Sequence, residues 1–214
     1  MEALADRIAA LAAARPGRSL VAIAGAPGAG KSTLAEALVD RLGPQAALVP
    51  MDGFHLDNAI LDARGRRFAK GSPDTFDVAG FETILQRLKA GGEVIVPVFD
   101  RYIDVSRGSA RVVPPEARII VAEGNYLLLR AAPWDRLAAL WDLTVFLDVP
   151  LAELERRLID RWRHHGLNDA DARRRARDND IPNARRVIDG SAAADVVIRS
   201  HDLPGALVPD RSPA

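Results

Sequence analysis

The chain has 214 residues and no cysteine, with 29 basic side chains against 29 acidic ones; hydrophobic residues make up 48% and charged residues 27%. That balance fits one globular domain over 1–214 with a real core, and it excludes disulfide frameworks and thiolate metal sites. A formal net charge of zero provides no global field to gather nucleic acid or anionic lipid, so neither is expected as a partner.

At the N-terminus, Leu4, Ile8 and Leu11 keep a helical spacing, while Asp6, Arg7 and Arg15 interrupt it too early for a signal sequence. The spacing predicts an amphipathic helix. No uninterrupted apolar run approaches the roughly 18 residues of a membrane span, so the expected compartment is the cytoplasm. Short apolar runs then recur at 19–24, 46–50, 94–98, 119–122, 143–147 and 196–198, several too continuous to be half-exposed. Between them, Phe81, Ile84, Leu85 and Leu88 have the 3, 4, 7 spacing of a helix with one buried side, as do Leu151, Leu154 and Leu158. Strand and helix alternate, which predicts a three-layer α/β fold on a mainly parallel sheet whose ligands sit at the carboxyl ends of the strands.

Residues 156–186 break the pattern, being rich in arginine and poor in large apolar side chains. A solvated helix pair laced with Asp/Arg contacts is one reading; in a phosphoryl-transfer enzyme the same stretch reads as a closing lid. The Pro-containing tail after Asp202 is expected to fray.

The strongest local signal is Gly25-Ala26-Pro27-Gly28-Ala29-Gly30-Lys31-Ser32, which matches G-x-x-x-x-G-K-[ST] between a strand and a helical pattern. The glycines let backbone N–H groups turn inward around phosphate oxygens, and the following helix adds the positive end of its dipole. Lys31 is expected to reach the β- and γ-phosphates, and Ser32 to offer its hydroxyl oxygen to Mg²⁺, a hard cation that prefers oxygen. Glu123 follows four apolar strand residues and is expected at the sheet edge as a second acidic partner of the metal; a turn-capping role is the alternative. Asp52 follows the run 46–50 and reads as a carboxylate able to take the proton of an attacking hydroxyl, although an Asp-Gly pair also makes turns.

Five blocks in order, GAPGAGKST at 25–33, MDGFHLDN at 51–58, KGSPDTFD at 70–77, PVFDRYID at 97–104 and VAEGNYLLL at 121–129, resemble the phosphoribulokinase/uridine kinase family. The resemblance spans most of the chain. It implies a P-loop NTPase fold with a five-stranded, mainly parallel sheet and a helical arginine-rich lid. It also implies ATP and Mg²⁺ as cofactors, bound by Gly25 through Thr33, and a small-molecule hydroxyl as acceptor: a nucleoside, a sugar or a pantothenate-like compound. In that family the acid matching Asp52 is the base and the acid matching Glu123 supports the metal. His55, Asp77, Asp100, Arg101 and Tyr102 fall where the family binds its acceptor, each with a turn or surface role as the alternative. Arg161 best matches a lid arginine that neutralises charge on the transferring phosphoryl group, with Arg157 and Arg163 behind it. Related kinases often pair, so a homodimer is among the expectations. No N-K-x-D guanine-reading segment occurs, which argues against a GTPase, and no basic-aromatic face argues for a nucleic-acid motor.

Overall fold

The structure, a computed structural model, describes residues 1–200; the tail after Asp202 lies outside the described residues. Its centre is β1 (Ser19–Gly25), every residue of which is buried. Such a strand needs a neighbour on each edge and a layer on each face. β5 (Ile119–Gly124) and β6 (Leu143–Asp148) supply the edges in parallel, while β2 (Ala46–Pro50) adds to β5 and β7 (Val196–Arg199) to β6. The sheet therefore runs β2-β5-β1-β6-β7, with all four pairings parallel.

The two-residue period of a strand divides the core between the two faces. Val21, Ile23, Val121 and Val145 face one layer, built from α1 (Glu2–Ala13), α2 (Lys31–Leu42) and the helices that follow β6. Leu20, Ala22, Ala24, Ile120 and Ala122 face the other, where α4 (Val78–Ala90) brings Phe81, Leu85 and Leu88 and the segment after β5 brings Tyr126 and Trp134. The short α3 (Asn58–Ala63) opens on Asp57, whose carboxylate accepts from the Ala59 amide.

The run 94–98 departs from expectation. It is a strand, but it lies outside the parallel sheet: β3 (Val94–Asp100) pairs antiparallel with β4 (Val105–Val113) in a separate hairpin. The sequence of β4 hides it, since Arg107, Gly108, Ser109 and Arg111 are not a strand-like run. Pro97 has no N–H to give to a ladder, and the register shifts between Val96 and Val98.

The arginine-rich stretch folds as α5 (Leu151–His164), α6 (Asp169–Arg175), a π turn (Ala176–Asp180) and α7 (Ile181–Gly190). It buries more than its composition suggests, because small and polar side chains, Ala172, Ala176, Ala184, Asn179, Asp180 and Asn183, join Leu154, Leu158, Ile159 and Val187 on the buried face. No helix among the described residues is long and apolar enough to cross a membrane.

Phe81 is fully buried and packs at 4.7 Å on Phe54, next to the segment that carries Asp52. Phe81→Ala is expected to cost about 3–5 kcal/mol of stability, read as a lower denaturant midpoint at unchanged m-value.

Candidate active site

Parallel registers bring three strand ends to one edge. Pro50 of β2 lies opposite Glu123 of β5, Ala24 of β1 lies opposite Gly124, and Gly25 lies opposite Leu147 of β6. The chain then turns away from each strand, so the loop at 25–30, Glu123 and Asp52 collect on the carboxyl-terminal edge of the sheet. Gly124 makes the approach of Asp52 feasible: a Cβ there would meet Met51 Cβ at 2.5 Å and Met51 Sδ at 2.7 Å.

The 25–30 loop has the features of an anion cradle. Gly28 has φ +81° with Leu158 of α5 against it, and no side chain caps the N-terminus of α2, whose N-cap is Gly30. The first amides of that twelve-residue helix thus remain for another acceptor. Lys31 is buried, and its ammonium donates to the Ala26 carbonyl at 2.9 Å, folded back on its own loop. Burial pushes its pKa down, opposed by the negative charges of Glu123 and Asp52, while Arg161 and Arg101 push the same way as burial. Glu123 is buried too and accepts from Ser32 Oγ at 3.2 Å. Burial and then the neighbouring Asp52 hold its carboxyl well above the ordinary range, against the pull of Lys31, Arg101 and Ser32. A hydroxyl oxygen and a carboxylate side by side beside a phosphate cradle are the donor types Mg²⁺ takes.

Asp52 lies in a 3-10 turn, Met51–Phe54, just beyond β2, and its Oδ2 accepts from Arg101 Nη2 at 2.8 Å. Its neighbour His55 has Nδ1 at 2.8 Å from the Asp52 carbonyl. A carbonyl only accepts, so Nδ1 carries the proton and Nε2 presents a lone pair. Burial pushes the His55 pKa down, which keeps the ring neutral. Phe76 at 4.1 Å and Phe99 at 4.6 Å, centroid to centroid, hold that ring from two segments.

The other expected acceptor residues are placed differently. Asp77 is exposed and caps α4, its Oδ1 accepting from the Gly80 amide at 2.9 Å. Asp100 closes the hairpin turn by accepting from the Tyr102 amide at 3.1 Å, with Arg107 nearby at 3.5 Å. Tyr102 is 97% exposed and points away from the protein. Among the arginines expected in a lid, Arg161 lies within electrostatic reach of Asp52 and Lys31. Arg157 is tied to Glu153 at 2.8 Å and reaches the Gly28 and Ala29 carbonyls at 3.4 and 3.5 Å. Arg163 faces outward to Asp160 and Asp169.

Several residues of the site have no distinctive signature in the sequence. Lys70 is buried, and its ammonium donates to Asn58 Oδ1 at 2.7 Å and to the Asp104 carbonyl at 2.5 Å, with the Asp104 carboxylate at 3.0 Å and the Phe99 ring centroid at 5.1 Å. This clamp joins the start of α3, the 70–77 block and the tip of the hairpin that carries Arg101. Lys70 and Phe76 stand in a block the sequence does single out; their roles emerge only when the segments meet.

A model of the phosphoribulokinase/uridine kinase family matches residues 20–181. The chain belongs to that family. It is a kinase, a phosphotransferase with an alcohol group as acceptor. It is 35% identical over 202 residues to the uncharacterized protein YggC of Escherichia coli (strain K12), covering 91% of this chain and 84% of YggC. Over 195 residues it is 33% identical to a candidate uridine kinase, C227.14, of Schizosaccharomyces pombe, covering 85% of this chain and 83% of that protein. Among solved structures, a candidate fructose transport system kinase from Silicibacter sp. TM1040 matches with a TM-score of 0.83 at 46% identity, over 88% of this chain and 98% of that one.

Within α5 of the kinase the Glu153 carboxylate accepts from Arg156 at 2.6 and 2.9 Å and from Arg157 at 2.8 Å, and Arg157 in turn reaches the cradle carbonyls. Arg156 first, then Arg157, pull its pKa down to about 2. A depressed carboxylate stabilises the fold fully above its unfolded pKa, about 4.5, and loses that effect as pH falls through about 2. The melting temperature of Glu153→Gln should therefore lie below wild type at neutral pH, with the gap closing as pH drops from about 4.5 toward 2. A gap that is constant down the titration would show the ion pairs to be immaterial.

Proposed function

We propose that this kinase holds MgATP on the 25–33 cradle and transfers the γ-phosphoryl group to a hydroxyl of a nucleoside, a sugar or a similar small polyol. The observation that carries the reading is the convergence on one sheet edge of a phosphate-shaped loop, a Ser32/Glu123 oxygen pair and Asp52. A bound magnesium ion would offset negative charge on the phosphate oxygens.

In this reading Lys31 leaves the Ala26 carbonyl for the β- and γ-phosphates, and the amides at the start of α2 donate to the same oxygens. Arg101 holds Oδ2 of Asp52, which leaves Oδ1 to take the acceptor's proton. As that proton moves, the acceptor oxygen forms its bond to the γ-phosphorus, and the bond to the bridging oxygen breaks to release the diphosphate. Nε2 of His55 accepts from a second hydroxyl and so favours a polyol over a simple alcohol. Arg161 faces charge spreading over the transferring oxygens, and residues 156–186 act as the lid that excludes water. Asp77 and Tyr102 contribute only if the segments that bear them move toward the cleft.

The test is purified protein with MgATP and a panel of nucleosides, sugars and vitamins. Acceptor-dependent release of ADP is expected; ATP consumption that is the same with every acceptor and with none would replace this reading by a plain ATPase. Asp52→Asn should lower turnover by roughly 10²–10⁴-fold while nucleotide affinity is nearly kept. Lys31→Ala should instead weaken nucleotide binding itself, measured by calorimetry.

A further inference from the structure

The π turn between α6 and α7 holds a buried carboxylate that takes no part in the proposed transfer. Asp180 is buried, and both of its oxygens are engaged by the lid helix α5: Oδ2 accepts from Trp162 Nε1 at 2.6 Å, and Oδ1 lies 3.4 Å from Arg161 Nη2. The Trp162 bond is short and directional. Arg161 also lies over the Trp162 ring, 5.2 Å from its centroid, as does Arg175 of α6. The indole thus fixes the carboxylate, and the carboxylate together with the indole face fixes the guanidinium. Among the described residues Asp180 is the one side chain that pairs with Arg161, so most of the five-donor fork remains for a ligand.

The same turn reaches the acceptor side. Asn179, the preceding residue, is buried and donates through Nδ2 to the Lys70 carbonyl at 3.1 Å, while Arg175 donates to the Phe68 carbonyl at 2.9 Å. A π turn inserts an extra residue into a helix and so changes which side chains share a face. Here it lets consecutive residues serve different partners, Asn179 the 67–75 loop and Asp180 the lid helix. The geometry points to Asp180 as a positioning residue: it aims Arg161 at the γ-phosphoryl group and holds that arginine in register with the acceptor loop gripped by Asn179. This rests on the reading of Arg161 given under the proposed function.

A bystander ion pair predicts something else. Were Asp180 there only to hold α5 against α7, its loss would lower stability and would affect every ligand of the site alike. A residue that aims a guanidinium at the terminal phosphate changes discrimination between MgATP and MgADP, because only the triphosphate presents the group that Arg161 faces.

Calorimetry with MgATP and MgADP on the full chain, beside thermal melting without nucleotide, tests this for wild type, Arg161→Ala, Asp180→Asn and the double variant. Arg161→Ala should reduce the MgATP-over-MgADP preference by about 10-fold, the size of one charge-assisted contact. Asp180→Asn should reduce it by about 5-fold at similar MgADP affinity, and the double variant should fall no further than Arg161→Ala alone. If Asp180→Asn does not fold, Trp162→Phe removes the donor that orients the carboxylate and should lower the preference in the same direction. The inference is overturned if Asp180→Asn and Trp162→Phe keep the wild-type preference, if the Asp180 effect persists undiminished without Arg161, or if Arg161→Ala itself changes nothing. Wild type that binds neither nucleotide would fail at the cradle instead, and would remove the function reading together with this one.

Discussion

Lys31, Glu123 and Asp52 bring one positive and two negative groups to the buried end of a parallel sheet, and their mutual compensation is the constraint on which the site depends. Burying any of them alone would be costly, since an uncompensated charge in a water-poor environment shifts its pKa or destabilises the fold. The opposite shifts on Lys31 and Glu123, down for the ammonium and up for the carboxyl, show burial outweighing the attraction between them. Such an arrangement is under-satisfied. In the proposed function a triphosphate with a divalent cation would supply negative oxygens for Lys31 and a positive charge for Glu123, so the cost of burying these two groups and the affinity for ligand would have one physical origin.

Much of this was legible in the sequence because it is local. Gly25 to Ser32 lies on one continuous segment whose spacing alone specifies a strand, a tight turn and a helix. Asp52 and Glu123 sit one or two residues beyond apolar runs, and parallel pairing places the ends of such runs on one edge whatever their order. The strands of the parallel sheet and the helices with regular apolar spacing follow from the same periodicities, while the count of five is what the family resemblance implies.

What the sequence concealed is whatever depends on two distant segments meeting. β4 has a strand's conformation without a strand's composition, because it pairs with the edge of β3 while most of its side chains are exposed or half-buried, and without a visible partner Val94 to Val98 reads like a strand of the main sheet. Lys70 reads as one more surface lysine until Asn58 and Asp104 are found around its ammonium. Asp77 shows a second role the block does not announce: a carboxylate three residues before a helix-start amide is also a cap, and Asp77 accepts from the Gly80 amide. In the arginine-rich stretch the buried face beyond α5 is largely alanine, asparagine and aspartate, residue types that no hydrophobic pattern registers.

These two kinds of residue divide the molecule's labour. The phosphate-side groups are held by the main sheet, whose registers leave little room for adjustment. Arg101, which fixes one oxygen of Asp52, sits at the tip of a hairpin that shares no strand with that sheet and is tied down through Lys70, Asn58 and Asp104. In the proposed function, substitutions in the hairpin or in the 67–75 loop would therefore reshape the acceptor side without disturbing β1 or the cradle. Asp52 belongs to both halves: it extends from a sheet strand, yet its carboxylate is oriented from the hairpin. In the proposed function Asp52 is the base, so its alignment by Arg101 is where selectivity for the hydroxyl would be converted into rate.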